Sequence, residues 1–275
     1  MAQRKATPEP ETLSSPQAEK PTSAYRDRNS TSDRTLNILT MFSEERPLVR
    51  VGDVIERLGV ARSTAYRYLQ TLTSTGFLED TGNGYRLGLR VYELARIARQ
   101  AHSPEEIIRP VLERLARDTG GTALLTRRSG VRVYCVERAE PPQRHLQLSY
   151  ERGRALRLNA GAAGQVLLAW ESPEIVADLL ARAELLPYTS HTLTTIPEMT
   201  ARLATIREDG VAVCENEVDL DTVNIAAPVW RGGRVTAGIG IVVVGAQIPA
   251  DVLQRHILRV RQSAEIVSER MDSIG

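Results

Sequence analysis

Two short amphipathic segments, a tight break between them and a hairpin signal behind them fill Asp53–Arg86, and this stretch limits what the chain can fold into. The break is Gly59-Val60-Ala61. The first segment, Asp53–Leu58, buries Val54, Ile55 and Leu58. In the second, Ala65, Tyr68, Leu69 and Leu72 recur at the spacing of a buried helical face. Arg62, Ser63, Thr64, Tyr66, Arg67 and Gln70 make up its polar face. Gly76 then stops the helix, because a left-handed residue after a helix is cheap only for glycine. Phe77-Leu78-Glu79 and Tyr85-Arg86-Leu87 alternate as two strands around a turn carrying Gly82-Asn83-Gly84.

Helix, tight turn, helix and two-stranded wing together make a winged helix-turn-helix. In that geometry the second helix enters the major groove of duplex DNA with its N-terminal residues over base edges. Arg62 and Arg67 are expected to make charged contacts, and Ser63, Thr64, Tyr66 and Gln70 to complete the reading face. Phosphate contacts outnumber base contacts in such complexes, so each arginine is expected chiefly to position the protein. The wing would bring Asn83 and Arg86 to the flanking phosphates. The competing reading is an ordinary pair of core helices with a solvated polar face. Against it, Gly59–Gln70 contains arginines and hydroxyls but no acid, in a chain whose net charge is only +1. Near-neutrality places any nucleic-acid affinity in a local patch instead of a whole-molecule field.

The rest of the chain supplies a second domain. At 275 residues there is room for two cores. Met1 to about Thr31 is rich in Pro, Ser, Thr, Glu and Gln and is expected to be a disordered tail, with Arg26 and Arg28 available for a nucleic-acid contact. Ser32-Asp33 signals a helix start before Leu36, Ile38, Leu39, Met41 and Phe42, whose spare apolar face suggests a partner subunit. Residues 89–102 read as a linker helix with a broad apolar stripe, and Ser103-Pro104-Glu105-Glu106 opens the next helix, which runs to about Asp118.

From Thr122 the periodicity changes to that of strands: Ala123–Thr126, Val131–Val136 and His145–Leu148, with turn material at Ser129-Gly130 and Pro141-Pro142. A helix over Asn159–Trp170, two more over Pro173–Arg182 and Pro197–Asp209, strands over Val211–Cys214, Val223–Val229 and Val235–Val244, and a closing helix from Pro249 to about Ser273 follow. That order describes an α+β domain on one antiparallel sheet. No secretory segment or bilayer-spanning run is present, so a soluble, cytoplasmic protein without a membrane partner is expected.

Cys135 and Cys214 are too few for a disulfide scaffold or a thiolate cluster, and both lie in apolar runs. An enzyme using either as nucleophile with His145 or His191 is the second functional class, opposed by the apolar neighbours of both thiols and by the lack of any phosphate-loop or GxSxG signature. No metal or cofactor is implied. A third class is a protein-interaction module in which the winged helix meets protein; steep salt dependence of duplex binding separates it from a DNA reader.

The chain also resembles the IclR family of bacterial transcriptional regulators from Ser32 to Ile274. The resemblance rests on DRTLNILTMF, LGVARSTAYRYLQTLTSTGFLE and GYRLGLRVYEL in the N-terminal half, and on LRLNAGAAGQVLLAW and IREDGVAVCENEVDLDTVNIAAPVW in the C-terminal half. It implies a mixed α/β chain: a winged helix-turn-helix over 32–88, a linker helix over 89–102 and a GAF-like effector-binding and oligomerisation domain over 103–275. It further implies a homodimer or dimer of dimers on a pseudo-palindromic operator, regulating, as a repressor in the reading preferred here, an operon of small-molecule catabolism in response to a small organic acid or similar effector.

A helix N-terminus suits a carboxylate, and small residues let a ligand reach the backbone. Asn159-Ala160-Gly161-Ala162-Ala163-Gly164 combines both, so Asn159, Gly161, Ala162 and Ala163 are candidate effector contacts; close helix–sheet packing is the competing use of such residues. Leu146, Asn216, Glu217, Asn224, Gly240 and Val242 match positions lining the family's pocket, although Glu217 reads equally well as a solvated loop acid. Where relatives carry His, Ser or Thr and Cys, this chain has Asn159, Gly161 and Asn224, which points to a site built on amides.

Overall fold

The computed structural model describes residues 31–101, 105–141, 148–245 and 248–273, in two compact units, Met1–Ala101 and His102–Gly275. The expected tail with Arg26 and Arg28, the Ser103 cap, His145 and Leu146 lie outside the described residues.

The first unit contains α1 (Thr31–Leu39), α2 (Val51–Leu58), α3 (Arg62–Ser74), the strands β1 (Leu78–Asp80) and β2 (Tyr85–Leu87), and α4 (Leu89–Ala101). Asp53 accepts the Arg50 backbone N–H at 2.7 Å and so satisfies one free donor at the start of α2. Gly59 takes φ +61° and donates to the Ile55 carbonyl, which ends the helix within one residue. The core of the unit is Ile38, Val49, Val54, Val60, Ala65, Tyr68, Leu69, Leu72 and Leu78. The wing pairs Leu78 with Leu87 and Asp80 with Tyr85, and Val49 joins it through two backbone hydrogen bonds with Tyr85. α1 is shorter than its apolar pattern suggests. Met41 and Phe42 follow it in a turn but still pack on the same core, so the periodicity records burial after the helix has ended.

The second unit is a six-stranded antiparallel sheet in the order β5-β4-β3-β8-β7-β6. Its strands are β3 (Thr122–Ser129), β4 (Arg132–Ala139), β5 (Ala155–Arg157), β6 (Ala212–Glu215), β7 (Thr222–Arg231) and β8 (Arg234–Val244). On one face, α5 (Glu105–Thr119) and α9 (Ala250–Ser273) bury Leu112, Leu115, Val260 and Val267 against Ile225, Ile239 and Ile241. On the other, residues 156–169, α7 (Pro173–Arg182) and α8 (Ile196–Asp209) bury Leu156, Leu158, Val166, Leu180 and Leu203 against Leu124, Ala226 and Val242. β7 and β8 alternate between these two cores, which explains why their sequences read as continuous apolar runs. Proline stands in the first turns of α7 and α8, and Ser172 and Thr195 cap them from the side chain.

One expectation fails here, and one strand is unexpected. The helix expected over Asn159–Trp170 contracts to α6 (Ala162–Gln165), with turns beyond it. Its hydrogen bonds mix three- and four-residue spacing, as in Leu167 to Gly164 and Val166 to Ala162. Residues 158–169 are buried throughout, and Gly164 packs at the Leu158 carbonyl, so packing against the sheet overrides helical regularity. The short strand β5 went unseen because its three residues have no turn signal of their own.

His256 lies buried on α9, and burial, reinforced by Arg255, pushes its pKa below the ordinary imidazole value. The folded state therefore prefers neutral imidazole. Its contribution to stability is complete above the unfolded value of about 6.5 and is lost as pH falls below it towards the folded pKa. The melting temperature is expected to drop between pH 7.5 and 5.5, and less so in His256→Gln; parallel melting curves for the two proteins would exclude this residue.

Candidate functional site

α3 presents two different faces. Ala65, Tyr68, Leu69 and Leu72 point into the core, while Arg62, Ser63, Tyr66, Arg67 and Gln70 are exposed and Thr64 is half-buried. Tyr66 keeps 44 % of its surface in solvent, unusual for an aromatic ring on a helix with a filled buried face. The Arg62 guanidinium lies 5.7 Å from the centre of the Tyr66 ring and donates to its hydroxyl at 3.4 Å. This holds one cation over an aromatic plate. Arg67 enters no ion pair among the described residues. The first turn of α3 contains no acid and has no side-chain cap, so its free N–H groups add positive potential to the face.

The wing is less available. Asn83 is exposed at its tip, but Arg86 is bound to Glu79 across the hairpin, Nε–Oε2 2.9 Å and Nη2–Oε2 2.7 Å. An Arg86–phosphate contact must therefore compete with a resident carboxylate. The reason is register: Glu79 and Arg86 are direct cross-strand partners, a relation that depends on the hairpin alignment.

In the second unit, the segment Asn159–Ala163 lies on the sheet face that also carries Cys214, Asn224, Gly240 and Val242. Asn224 is opposite Cys214 on β6 and Val242 on β8, which brings three separated stretches of sequence into one row. A β-carbon at Gly238 would come 2.8 Å from Val166 Cγ1, and one at Gly240 would come 2.3 Å from the Ile225 carbonyl oxygen. Both glycines are thus explained by close approach of backbone and neighbouring side chains. The Asn216 amide is occupied as well: it takes φ +59° at the end of β6 and accepts the Thr222 N–H at 3.2 Å, closing the β6–β7 turn.

Glu217 is the residue that the sequence least describes. It is not a solvated acid; it is 2 % exposed. Its Oε2 accepts the Gly161 N–H at 3.1 Å and the Gln165 amide at 2.6 Å. Its Oε1 pairs with Arg202 of α8 at 3.0 Å, and the same guanidinium contacts Gln165 Oε1 and Cys214 Sγ, each at 3.4 Å. Gln165 lies within the LRLNAGAAGQVLLAW run and Arg202 in no quoted motif, and neither stands out in the sequence because their relation to Glu217 exists only in the fold. Asn159 is buried too, and its amide donates to the carbonyls of Leu193 at 2.5 Å and Leu186 at 3.3 Å. Tyr150 is fully buried alongside, with no partner for its hydroxyl among the described residues.

Neither cysteine has the setting of a nucleophile. Burial raises the Cys135 thiol to about 12, and burial, reinforced by Glu217, pushes Cys214 well above its ordinary value. His191 is exposed and hydrogen-bonds through its backbone to Thr189.

Comparison with known proteins decides the family. Residues 31–82 match the IclR helix-turn-helix domain, and residues 101–269 match the C-terminal domain of bacterial IclR transcriptional regulators. The chain belongs to the IclR family. It is similar to the HTH-type transcriptional regulator KdgR of Dickeya chrysanthemi, 28 % identical over 247 residues, covering 86 % of this chain and 78 % of that protein. It is also similar to the HTH-type transcriptional regulator Rv1719 of Mycobacterium tuberculosis, 33 % identical over 200 residues, covering 72 % and 73 %. Among solved structures, an IclR transcriptional regulator from Alicyclobacillus acidocaldarius shares the fold with a TM-score of 0.72 at 24 % identity, covering 88 % and 98 %. This IclR-family chain is therefore a DNA-binding transcriptional regulator. Among the described residues, no helix is long and apolar enough to cross a membrane.

Proposed function

We propose that this regulator acts as a cytoplasmic repressor of a small-molecule catabolic operon, released or tightened by a small-molecule effector in the second unit. The observation that carries the DNA-reading role is the exposed face Arg62–Gln70 on a helix whose opposite face is fully buried. Ser63, Thr64, Tyr66, Arg67 and Gln70 meet the major groove, Arg62 and the α3 N–H groups hold phosphate, and Asn83 reaches the flanking backbone. A homodimer supplies two such helices to a pseudo-palindromic operator. The support for dimerisation is α4, which lies within the proposed linker of residues 89–102, because Leu89 and Tyr92 are 72 % and 74 % exposed there and Leu94 and Ile97 are also open.

Effector binding supports regulation only if one arrangement of the two recognition helices binds the effector better than another. Residues 159–163, with Asn224 and Val242 behind them, are the proposed effector region. One solved IclR homologue, from Microbacterium hydrocarbonoxydans, was obtained with 4-hydroxybenzoate. A small organic acid is the effector class that the resemblance implies, yet in this chain Glu217 already holds the Gly161 N–H.

Footprinting on the DNA flanking the chain's own gene tests the proposal. Protection of two half-sites is expected, with affinity falling steeply as salt rises because phosphate neutralisation releases counterions. Salt-insensitive association, or none with duplex DNA, would replace the DNA reader with a protein-binding module.

A further inference from the structure

We infer that the β4–β5 edge of the second unit's sheet carries an oxyanion site, formed by Arg132, Arg157 and Arg182, that takes a phosphate-class dianion. It does not depend on the effector region proposed above. Arg132 on β4 and Arg157 on β5 are direct cross-strand partners. Like charges set opposite each other in this way repel, whereas the same relation in the wing joins Glu79 to Arg86. Three neighbouring arginines are neutralised: Arg128 by Glu171, Arg138 by Glu140 and Arg152 by Glu137. Arg132 and Arg157 enter no ion pair among the described residues, nor does the exposed Arg127 on β3, so the positive field here is locally unbalanced.

A cleft of about 120 Å³ opens beside this pair, lined by Val131, Arg132, Arg157, Leu158, Arg182 and Glu184. Arg157 is set in advance. Its guanidinium lies 4.5 Å from the centre of the Tyr188 ring and donates to the Pro187 carbonyl at 3.1 Å, which leaves other N–H groups of its fork unused. Arg132 and Arg182 are exposed, and Arg182 also pairs with Asp178 at 2.8 Å. Glu184 is the one acid lining the cleft among the described residues, and it forms no ion pair there with the three guanidinium groups. Three cations against that one acid leave two positive charges to balance. A dianion meets the requirement, and planar guanidinium forks match phosphate oxygens bidentately. A single carboxylate would leave one cation without a counter-charge. The cleft is small beside ligand pockets of about 300–1,000 Å³, so it holds the oxyanion group and leaves any organic remainder in solvent.

Thermal melting of the full chain tests the site, with inorganic phosphate and glycerol 3-phosphate as probes against chloride at equal ionic strength and mildly alkaline pH, where both probes are dianions. The natural protein should gain about 3 °C, saturably, because a ligand that binds only the native state raises apparent stability. Arg132 is exposed, so Arg132→Gln opens no cavity; the variant should fold and lose that gain. Arg231→Gln removes an exposed arginine at the end of β7 and should keep it. Equal gains with the two probes assign the site to free phosphate, and a larger gain with the ester assigns it to a phosphorylated small molecule. Absence of a saturable gain in the natural protein would overturn the site. So would a gain that survives in Arg132→Gln, or one lost equally in Arg231→Gln.

Discussion

Arg67→Ala is expected to weaken operator binding about 10- to 100-fold while leaving the melting temperature within a degree or two, since a groove contact by arginine is worth roughly 1–3 kcal/mol. The separation of effects follows from where Arg67 lies. It is exposed on α3, one residue before the buried Tyr68, and removing it opens no cavity. Substitutions at such surface positions usually change stability by about 0.5 kcal/mol or less. The form of the loss distinguishes its cause. A phosphate contact lowers affinity for every duplex and reduces the salt slope by about one, whereas a base contact relaxes preference at one operator position. Arg62→Ala should differ from Arg67→Ala, because it also frees the Tyr66 ring that Arg62 covers. Undiminished binding by a folded Arg67→Ala protein would remove the residue from the reading face.

The larger effect on folding is expected from Leu69→Ala. Leu69 is wholly buried in α3, in a core shared with Ile38, Val54 and Leu78. Truncating a core leucine costs about 2–5 kcal/mol, of which part is the cavity left behind. A core this small supplies a total stability of only about 3–5 kcal/mol, so the substitution should unfold the first unit at ordinary temperature. The second unit has separate cores on the two faces of its sheet and should melt as before. Calorimetry should therefore lose one transition and keep the other, with DNA binding abolished. Retention of both transitions would mean that the first unit draws its stability from elsewhere.

How far the sequence described this molecule depends on the range of the interaction. Local signals were reliable: the Gly59 break, the wing turn at Gly82-Asn83-Gly84 and the capped α7 over Pro173–Arg182 all stand as their residues suggest. Each is specified within a few residues, through caps and φ preferences. The polar face of α3 was legible for the same reason, because helical periodicity separates its two sides. Relations across the sheet were not. Glu79 silences part of Arg86 only through the register of the wing, and Glu217 changes from a loop acid to a buried cap only because α8 brings Arg202 beside it. Asn159–Trp170 shows the same limit in the backbone, since propensity favours a helix and tertiary packing keeps only one turn of it. Gly240 in β8 matches a position of the family's pocket, but in this chain the reason on view is steric.

The two tryptophans of the chain, Trp170 and Trp230, meet edge to face with ring centres 5.5 Å apart. One closes the irregular segment that begins at Asn159, and the other stands at the hairpin between β7 and β8. Indole emission is sensitive to its immediate surroundings, so this pair makes the unlabelled protein its own optical gauge. Any compound that slides the segment along the sheet should alter the emission maximum or its quenching, and Trp230→Phe would show which ring carries the signal.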